Sequence, residues 1–251
     1  MRAWNRRLET TNDALDVKDR RLVSLNAPAS FAAEQYQGLR LTIERLARTP
    51  ELRMIAISTP AAGDGKTVTA INLAGALARG SDEPVLLIDA DLRRPSVAPL
   101  FGIRDTAPGL ADVLCDREVG LAQVVQNIGS LNLSVIPAGK TRRRVSEILR
   151  SPRLDELLAE ARSRYGYLVL DTPPLLPVFD SALLAKSVDG VLMVVAANQT
   201  PRKLLGESLN MIDPAKVLGI VFNRDERPLF GYYNSYYREY FPEPSHVPSE
   251  A

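Results

Sequence analysis

Residues 53–80 read RMIAISTPAAGDGKTVTAINLAGALARG, and the order of their parts decides the fold. Met54 to Ile57 is a short apolar run and predicts a buried parallel strand. A loop of small residues follows, then Lys66-Thr67. Apolar positions at Val68, Ile71, Ala74, Leu77 and Ala78 then recur at helical spacing. Strand, glycine-rich loop, Lys-Ser/Thr and helix is the order of a phosphate-binding loop. Gly63 and Gly65 let the backbone turn its N–H groups toward phosphate oxygens. The start of the next helix adds partial positive charge at the same point. The expected nucleotide-binding stretch is Ala62, Gly63, Asp64, Gly65, Lys66, Thr67 and Val68. Lys66 would reach the β- and γ-phosphates, and the Thr67 hydroxyl would take one magnesium position. Pro60 stands where the usual pattern has its first Gly. A bare Gly-Lys-Thr also describes a capped surface turn, so the rest of the chain has to decide.

The chain has 251 residues, 45% of them hydrophobic, enough for one large α/β domain with a proper core or one domain plus arms. A net charge of +1 gives no global basic field for nucleic acid. The one cysteine, Cys115, cannot form an internal disulfide, which suits a reducing cytoplasm. The one histidine, His246, sits in a Pro-rich tail, which argues against histidine-based acid–base chemistry or a histidine-ligated metal. The run Val191–Ala197 is far short of the ~20 apolar residues of a membrane span. The basic N-terminus lacks an apolar signal-peptide core. The expectation is a cytoplasmic protein that another chain brings to the membrane if it works there.

Residues 1–29 are dense in charges of both signs and predict a flexible or loosely docked arm. Residues 30–48 predict an amphipathic helix with Ser30 as N-cap, Leu39, Ile43 and Leu46 on one side, and Pro50 closing it. Further strands are expected at Val85–Ile88, Leu133–Ile136, Tyr167–Leu170, Val191–Val195 and Val217–Phe222. Short helices are expected at Ser96–Phe101 and Leu110–Leu114, a charged one at 152–164, and a last one opened by Thr200 as N-cap and Pro201 at its first position. Lys140 to Arg144 is a basic run of no assigned role. All-apolar strands alternating with helices predict an α/β fold, a mostly parallel sheet covered on both faces. Ligands bind such sheets outside the carboxyl ends of the strands.

That rule selects three aspartates. The second strand runs LLIDADLRRP and places Asp89 at its end and Asp91 two residues on; the fourth runs YLVLDTPP and ends on Asp171. Burying an unpaired carboxylate costs several kcal/mol. Beside magnesium and a triphosphate the same groups are useful, as metal ligands or as acceptors of an incoming hydroxyl's proton. Asp180, before Ser181-Ala182-Leu183-Leu184, reads as a helix cap or loop residue.

With AAGDGKT, LLIDADLRRP and YLVLDTPP on the page, the chain resembles the bacterial tyrosine kinases in their Walker A, A′ and B motifs. These are P-loop autokinases of capsule and exopolysaccharide export. The similarity runs through most of 30–224 and includes RRPSVAPLFGI, APGLADVL, LNLSVIPAGK, VDGVLMVV and GIVFNR. The resemblance implies an ATP-dependent protein tyrosine kinase using Mg²⁺, with Lys66, Asp89, Asp91 and Asp171 catalytic. It implies Thr67, Asp89 and Asp171 around the metal, Arg93 in the Asp-x-Asp-x-Arg arrangement, and Asn223 at the adenine. The roles of Asp89 and Asp91 stay undivided. It also implies a homo-oligomer using a helix in which Glu34 and Arg40 match the family's Glu-x-x-Arg-x-x-Arg, with Gln37 departing from it. A separate membrane-spanning activator of the polysaccharide machinery and a cognate tyrosine phosphatase complete the implied partners.

Five tyrosines, Tyr232, Tyr233, Tyr236, Tyr237 and Tyr240, fall within GYYNSYYREY, and Pro242, Pro244 and Pro248 follow. Their spacing also describes an aromatic stripe on a short helix. The resemblance makes them the autophosphorylation sites, acting between subunits. Five phosphates would add roughly −8 to −10 charges. The expected organisation is an arm (1–29), a P-loop domain (30–225) and a tyrosine tail (226–251). Two other readings compete. One is a switch ATPase like those of plasmid partition and septum positioning, which carry an extra Lys where this chain has Ala61. The other is a non-catalytic nucleotide-binding regulator.

Overall fold

The computed structural model describes residues 19–47, 52–129, 131–176 and 178–225. Within them the helices are α1 (Val23–Asn26), α2 (Phe31–Leu46), α3 (Lys66–Gly80), α4 (Val97–Leu100), α5 (Leu110–Cys115), α6 (Leu121–Val124), α7 (Val145–Ile148), α8 (Pro152–Arg164), α9 (Asp180–Ser187) and α10 (Arg202–Leu209). The strands are β1 (Met54–Ser58), β2 (Val85–Asp89), β3 (Gln126–Asn127), β4 (Leu133–Ile136), β5 (Tyr167–Asp171), β6 (Gly190–Ala196) and β7 (Val217–Asn223). They form one sheet in the order β3-β4-β2-β5-β1-β6-β7, parallel except for the short β3 against β4.

The strands are apolar throughout because both sheet faces are covered, yet the twofold alternation survives in what each side chain meets. Met54 and Ala56, with Leu86, Ile88, Leu168 and Leu170, face the core under α5, α6, α8 and α9. Ile55 and Ile57, with Leu87 and Val169, face the opposite core, built on Ala70, Ile71, Leu73, Ala74 and Leu77 of α3. β5 lies between β1 and β2, in a register that pairs Ile57 with Asp171 and Asp89 with Asp171. The end of the phosphate-loop strand and the two acid-bearing strand ends therefore stand side by side.

Four sequence expectations need correction. Of the expected arm, residues 21–25 are docked on α3 rather than flexible. Leu22 and Ser24 are fully buried, and the Asn72 side chain on α3 accepts from Ser24 N–H at 2.9 Å and donates to the Arg21 carbonyl at 2.9 Å. Arg79 adds hydrogen bonds to the carbonyls of Ser24 and Leu25. Residues 1–18 and the tail 226–251 lie outside the described residues, as does Pro50. On α2 the Ser30 hydroxyl caps the Ala33 N–H as expected, and Ile43 is buried, but Leu46 is 46% exposed at the last turn. α10 starts one residue later than expected, with Pro201 at the N-cap. Thr200 instead accepts the Ala196 N–H, closing the turn after β6. Finally, β3 is a strand with no apolar run behind it.

Candidate active site

The phosphate loop leaves β1 at Ser58 and enters α3 at Lys66. Gly63 (φ 101°) and Gly65 (φ 93°) both hold left-handed backbone, which a side chain would strain. An added Cβ at Gly65 would also displace the Asn223 side chain from its present place beside the loop. The Thr59 hydroxyl donates to Oδ2 of Asp64 at 2.6 Å, which ties the buried Asp64 carboxylate to the base of the loop.

Lys66 opens α3 and is only 7% exposed. Its Nζ donates to Oδ1 of Asp171 at 2.9 Å and to Oδ2 of Asp91 at 3.3 Å. The Thr67 hydroxyl donates to the other Asp171 oxygen at 2.7 Å. One lysine and one threonine thus hold both oxygens of a fully buried carboxylate at a helix N-terminus. The two A′ aspartates differ. Asp91 turns toward Lys66 and accepts the Arg94 N–H on Oδ1 at 3.1 Å. Asp89 accepts three backbone N–H groups, from Asp91 on Oδ1 and from Ser96 and Val97 on Oδ2, at 3.0–3.2 Å. Most of its accepting capacity is spent on shaping its own loop and starting α4.

Burial and crowding set the electrostatics. Burial alone would lower the Lys66 pKa, but the Asp171 and Asp91 carboxylates outweigh it and the net shift is upward. Burial raises Asp171, against the pull of Lys66. Asp89 is pushed up to about 7, by burial first and by the charge of Asp171 second, against the N–H groups of Val97 and Ser96. Three carboxylates share one ammonium, so the cluster favours a further cation. Among the described residues no group of three or more His, Cys, Asp and Glu is placed to hold a metal by itself. Thr67 with Asp171 fits a magnesium ion whose other ligands are phosphate oxygens and water.

The remaining expected residues fall as follows. Asn223 ends β7 and donates from Nδ2 to the Asp64 carbonyl at 2.8 Å, so the last strand reaches the phosphate loop. Arg93 leaves the Asp91 loop and donates to Asp180 from Nε at 2.5 Å and from Nη2 at 3.3 Å. Asp180 is 1% exposed, which corrects its reading as a cap or loop residue: the N-cap of α9 is Phe179, and Asp180 is the buried partner of a charge. The sequence signal for it was Arg93, a cation with no acid placed for it. Glu34 is exposed on α2. Arg40 is half-buried and engaged within the chain, with Glu44 at 2.8 and 3.0 Å and Gln37 at 2.9 Å. Lys140 pairs with Asp105, and Lys140 to Arg143 line a cavity of about 290 Å³ with Asp112, Cys115, Asp116 and Val119. The tyrosine cluster lies outside the described residues.

Residues 52–216 match the model of the AAA domain family. The tyrosine-protein kinase YwqD of Bacillus subtilis is 31% identical over 221 residues, spanning 86% of this chain and 92% of its own. The chain belongs to the bacterial tyrosine-protein kinase family. The kinase domain of Escherichia coli tyrosine kinase Etk superposes with a TM-score of 0.76 at 29% identity, covering 84% of each chain. The succinoglycan biosynthesis transport protein ExoP of Rhizobium meliloti is 30% identical over 91% of this chain, which spans only 29% of ExoP. Plasmid-partition and cell-division ATPases share the fold alone, at 20–24% identity. This kinase domain is a nucleotide-binding P-loop fold with relatives in exopolysaccharide biosynthesis. Among the described residues no helix is long and apolar enough to cross a membrane.

Proposed function

We propose that the protein is an ATP-dependent tyrosine autokinase. Its acceptor is the tail cluster Tyr232, Tyr233, Tyr236, Tyr237 and Tyr240 of a second copy, and its role is to regulate exopolysaccharide or capsule synthesis and export. The observation that carries this reading is the Lys66–Asp171–Thr67–Asp91 array at the start of α3. Lys66 and the loop Ala62–Val68 hold the phosphates, and Asn223 stands beside that loop for the base. Thr67 and Asp171 would hold Mg²⁺, which would supply positive charge to neutralise the phosphates. Asp91 accepts the proton of the attacking tyrosine hydroxyl as its oxygen bonds to the γ-phosphorus. The bond to the β-phosphate oxygen breaks, and ADP leaves. Asp89 acts by shaping the loop that presents Asp91, a division of labour supported by its three backbone bonds.

The protein works at the inner face of the membrane, recruited and activated by a separate membrane-spanning chain, reset by a phosphatase, and assembled with other copies. Intact mass after incubation with ATP and Mg²⁺, with a cytoplasmic fragment of that activator added, tests the reading. Several steps of about 80 Da, one per phosphate, are expected. They are lost in Lys66→Met and in the variant with the five tail tyrosines changed to Phe. Nucleotide hydrolysis without added mass would overturn the reading in favour of a switch ATPase.

A further inference from the structure

We infer that Asp180 is a positioning residue for phosphoryl transfer, acting through Arg93 to hold the Asp91 loop in place against Lys66. The inference rests on the kinase reading above, but the chemistry it needs is only transfer of the γ-phosphate.

The two halves of this clasp come from different sides of the site. Arg93 lies two residues beyond Asp91, on the loop between β2 and α4. Its side chain is 43% exposed, while that of Asp180 is 2% exposed. A buried carboxylate persists in a fold when a cation and hydrogen bonds satisfy it, and Arg93 supplies both to Asp180 through Nε and Nη2. Asp180 in turn stands on firm ground. It is the first residue of α9, where the helix N-terminus favours negative charge. The hydroxyl of its neighbour Ser181 donates to the Pro173 carbonyl, which also accepts from Ser58 of β1 at 3.0 Å. Pro173 is two residues past Asp171, so Asp180 is fastened to the Asp171 segment and to the phosphate-loop strand together.

The Asp91 loop has its own internal bonds, from Asp89 to the N–H groups of Asp91, Ser96 and Val97, and from Asp91 to that of Arg94. These fix the loop's shape. They do not fix where the loop stands relative to Asp171. The Ala90 N–H to the Asp171 carbonyl ends the strand pairing at 2.8 Å. Beyond that point Lys66 Nζ links the two segments indirectly, through Asp91 and Asp171, and the Arg93–Asp180 pair is the direct hydrogen-bonded tie between them among the described residues. Losing it lets Asp91 drift from Lys66, and displacements near 1 Å cost on the order of 100-fold in rate. The phosphate loop and Asn223 belong to other elements and keep their grip on nucleotide.

The test compares the full-length wild type with Asp180→Asn, Asp180→Glu, Arg93→Ala and the Asp180→Asn/Arg93→Ala double variant. Tyrosine phosphorylation, nucleotide hydrolysis and Mg²⁺·ADP affinity are measured for each. Asp180→Asn and Arg93→Ala should each lower turnover about 10- to 100-fold, with the ADP dissociation constant within about 2-fold. The double variant should be no slower than the slower single, since the pair acts as one unit. Asp180→Glu should recover part of the loss. Wild-type turnover in Asp180→Asn overturns the inference. So do multiplicative losses in the double variant, or ADP affinity and melting temperature falling in parallel with turnover. Arg93→Ala, at an exposed site, keeps the question open to measurement should Asp180→Asn fail to fold. If the wild type hydrolyses nucleotide without making phosphotyrosine and Asp180→Asn slows that hydrolysis, the inference stands and the kinase reading falls. If the wild type makes phosphotyrosine and Asp180→Asn makes it equally well, the reverse holds.

Discussion

The two ends of the sheet handle buried charge in opposite ways. At the amino end, Asp189 precedes β6. Its Oδ2 accepts the N–H groups of Arg53 and Met54 at 2.9 and 2.8 Å, and its Oδ1 accepts from Arg162 at 2.7 Å. That pair is partly exposed, and its charges close on each other. At the carboxyl end, Asp89, Asp91 and Asp171 are 0–4% exposed and share one ammonium, that of Lys66. Excess negative charge under burial is a poor way to stabilise a fold. It is a suitable way to await a cation carried by a nucleotide. The charge balance of a cluster, more than its acidity, separates the structural end from the working end.

A matched pair of substitutions attacks that contrast where the expected effect is largest. Asp171→Asn removes the carboxylate that both Lys66 and Thr67 hold. It should cut phosphoryl transfer about 10³-fold, or roughly 4 kcal/mol of barrier. Asp189→Asn should leave transfer within about 2-fold and cost about 1–3 kcal/mol of stability instead, read by urea unfolding. If the two variants lose activity alike, the division between the ends fails.

Ligand binding sharpens the contrast with a smaller effect. ADP brings more negative charge to three carboxylates, whereas Mg²⁺·ADP brings the cation they lack. At about 100 times its dissociation constant, Mg²⁺·ADP should stabilise the chain by about 2.7 kcal/mol. The same ADP concentration with EDTA should give much less. Equal thermal shifts with and without the metal would show that Lys66 alone balances the site.

Much of this contrast was legible in the chain itself. A carboxylate at the end of a run such as VLLID or YLVLD has few structural uses, so Asp89 and Asp171 declared themselves, and the apolar runs placed six of the seven strands. What stayed hidden depends on partners distant in sequence. The docking of residues 21–25 is invisible in a segment that reads as charge, because the decisive groups are one leucine, Leu22, and an asparagine buried in the middle of α3, Asn72. β3 is two polar residues that count as strand only because β4 offers an edge. Asp180 looked like a helix start until Arg93, 87 positions away, was found on it. The split between Asp89 and Asp91 also needed coordinates, since sequence gives no sign of which carboxylate faces the backbone and which faces Lys66.

The finest probe of the comparison is pH. The Asp89 carboxyl is pushed up to about 7, from its ordinary 3.8, by burial and then by Asp171. Between those values the folded nucleotide-free protein keeps a proton that the unfolded chain has lost. Its stability should therefore fall as pH rises from about 4 to about 7 and level off above, with a slope of at most about 1.4 kcal/mol per pH unit. Urea unfolding between about pH 5 and about pH 8 should show the decline in the wild type and in Asp189→Asn, and a flatter profile in Asp89→Asn whatever its mean stability. An unchanged slope in Asp89→Asn would move the shared proton from Asp89 to Asp171. The open charge would then sit on Asp89, which three backbone N–H groups already hold, and the site would need magnesium less than the count of its acids implies.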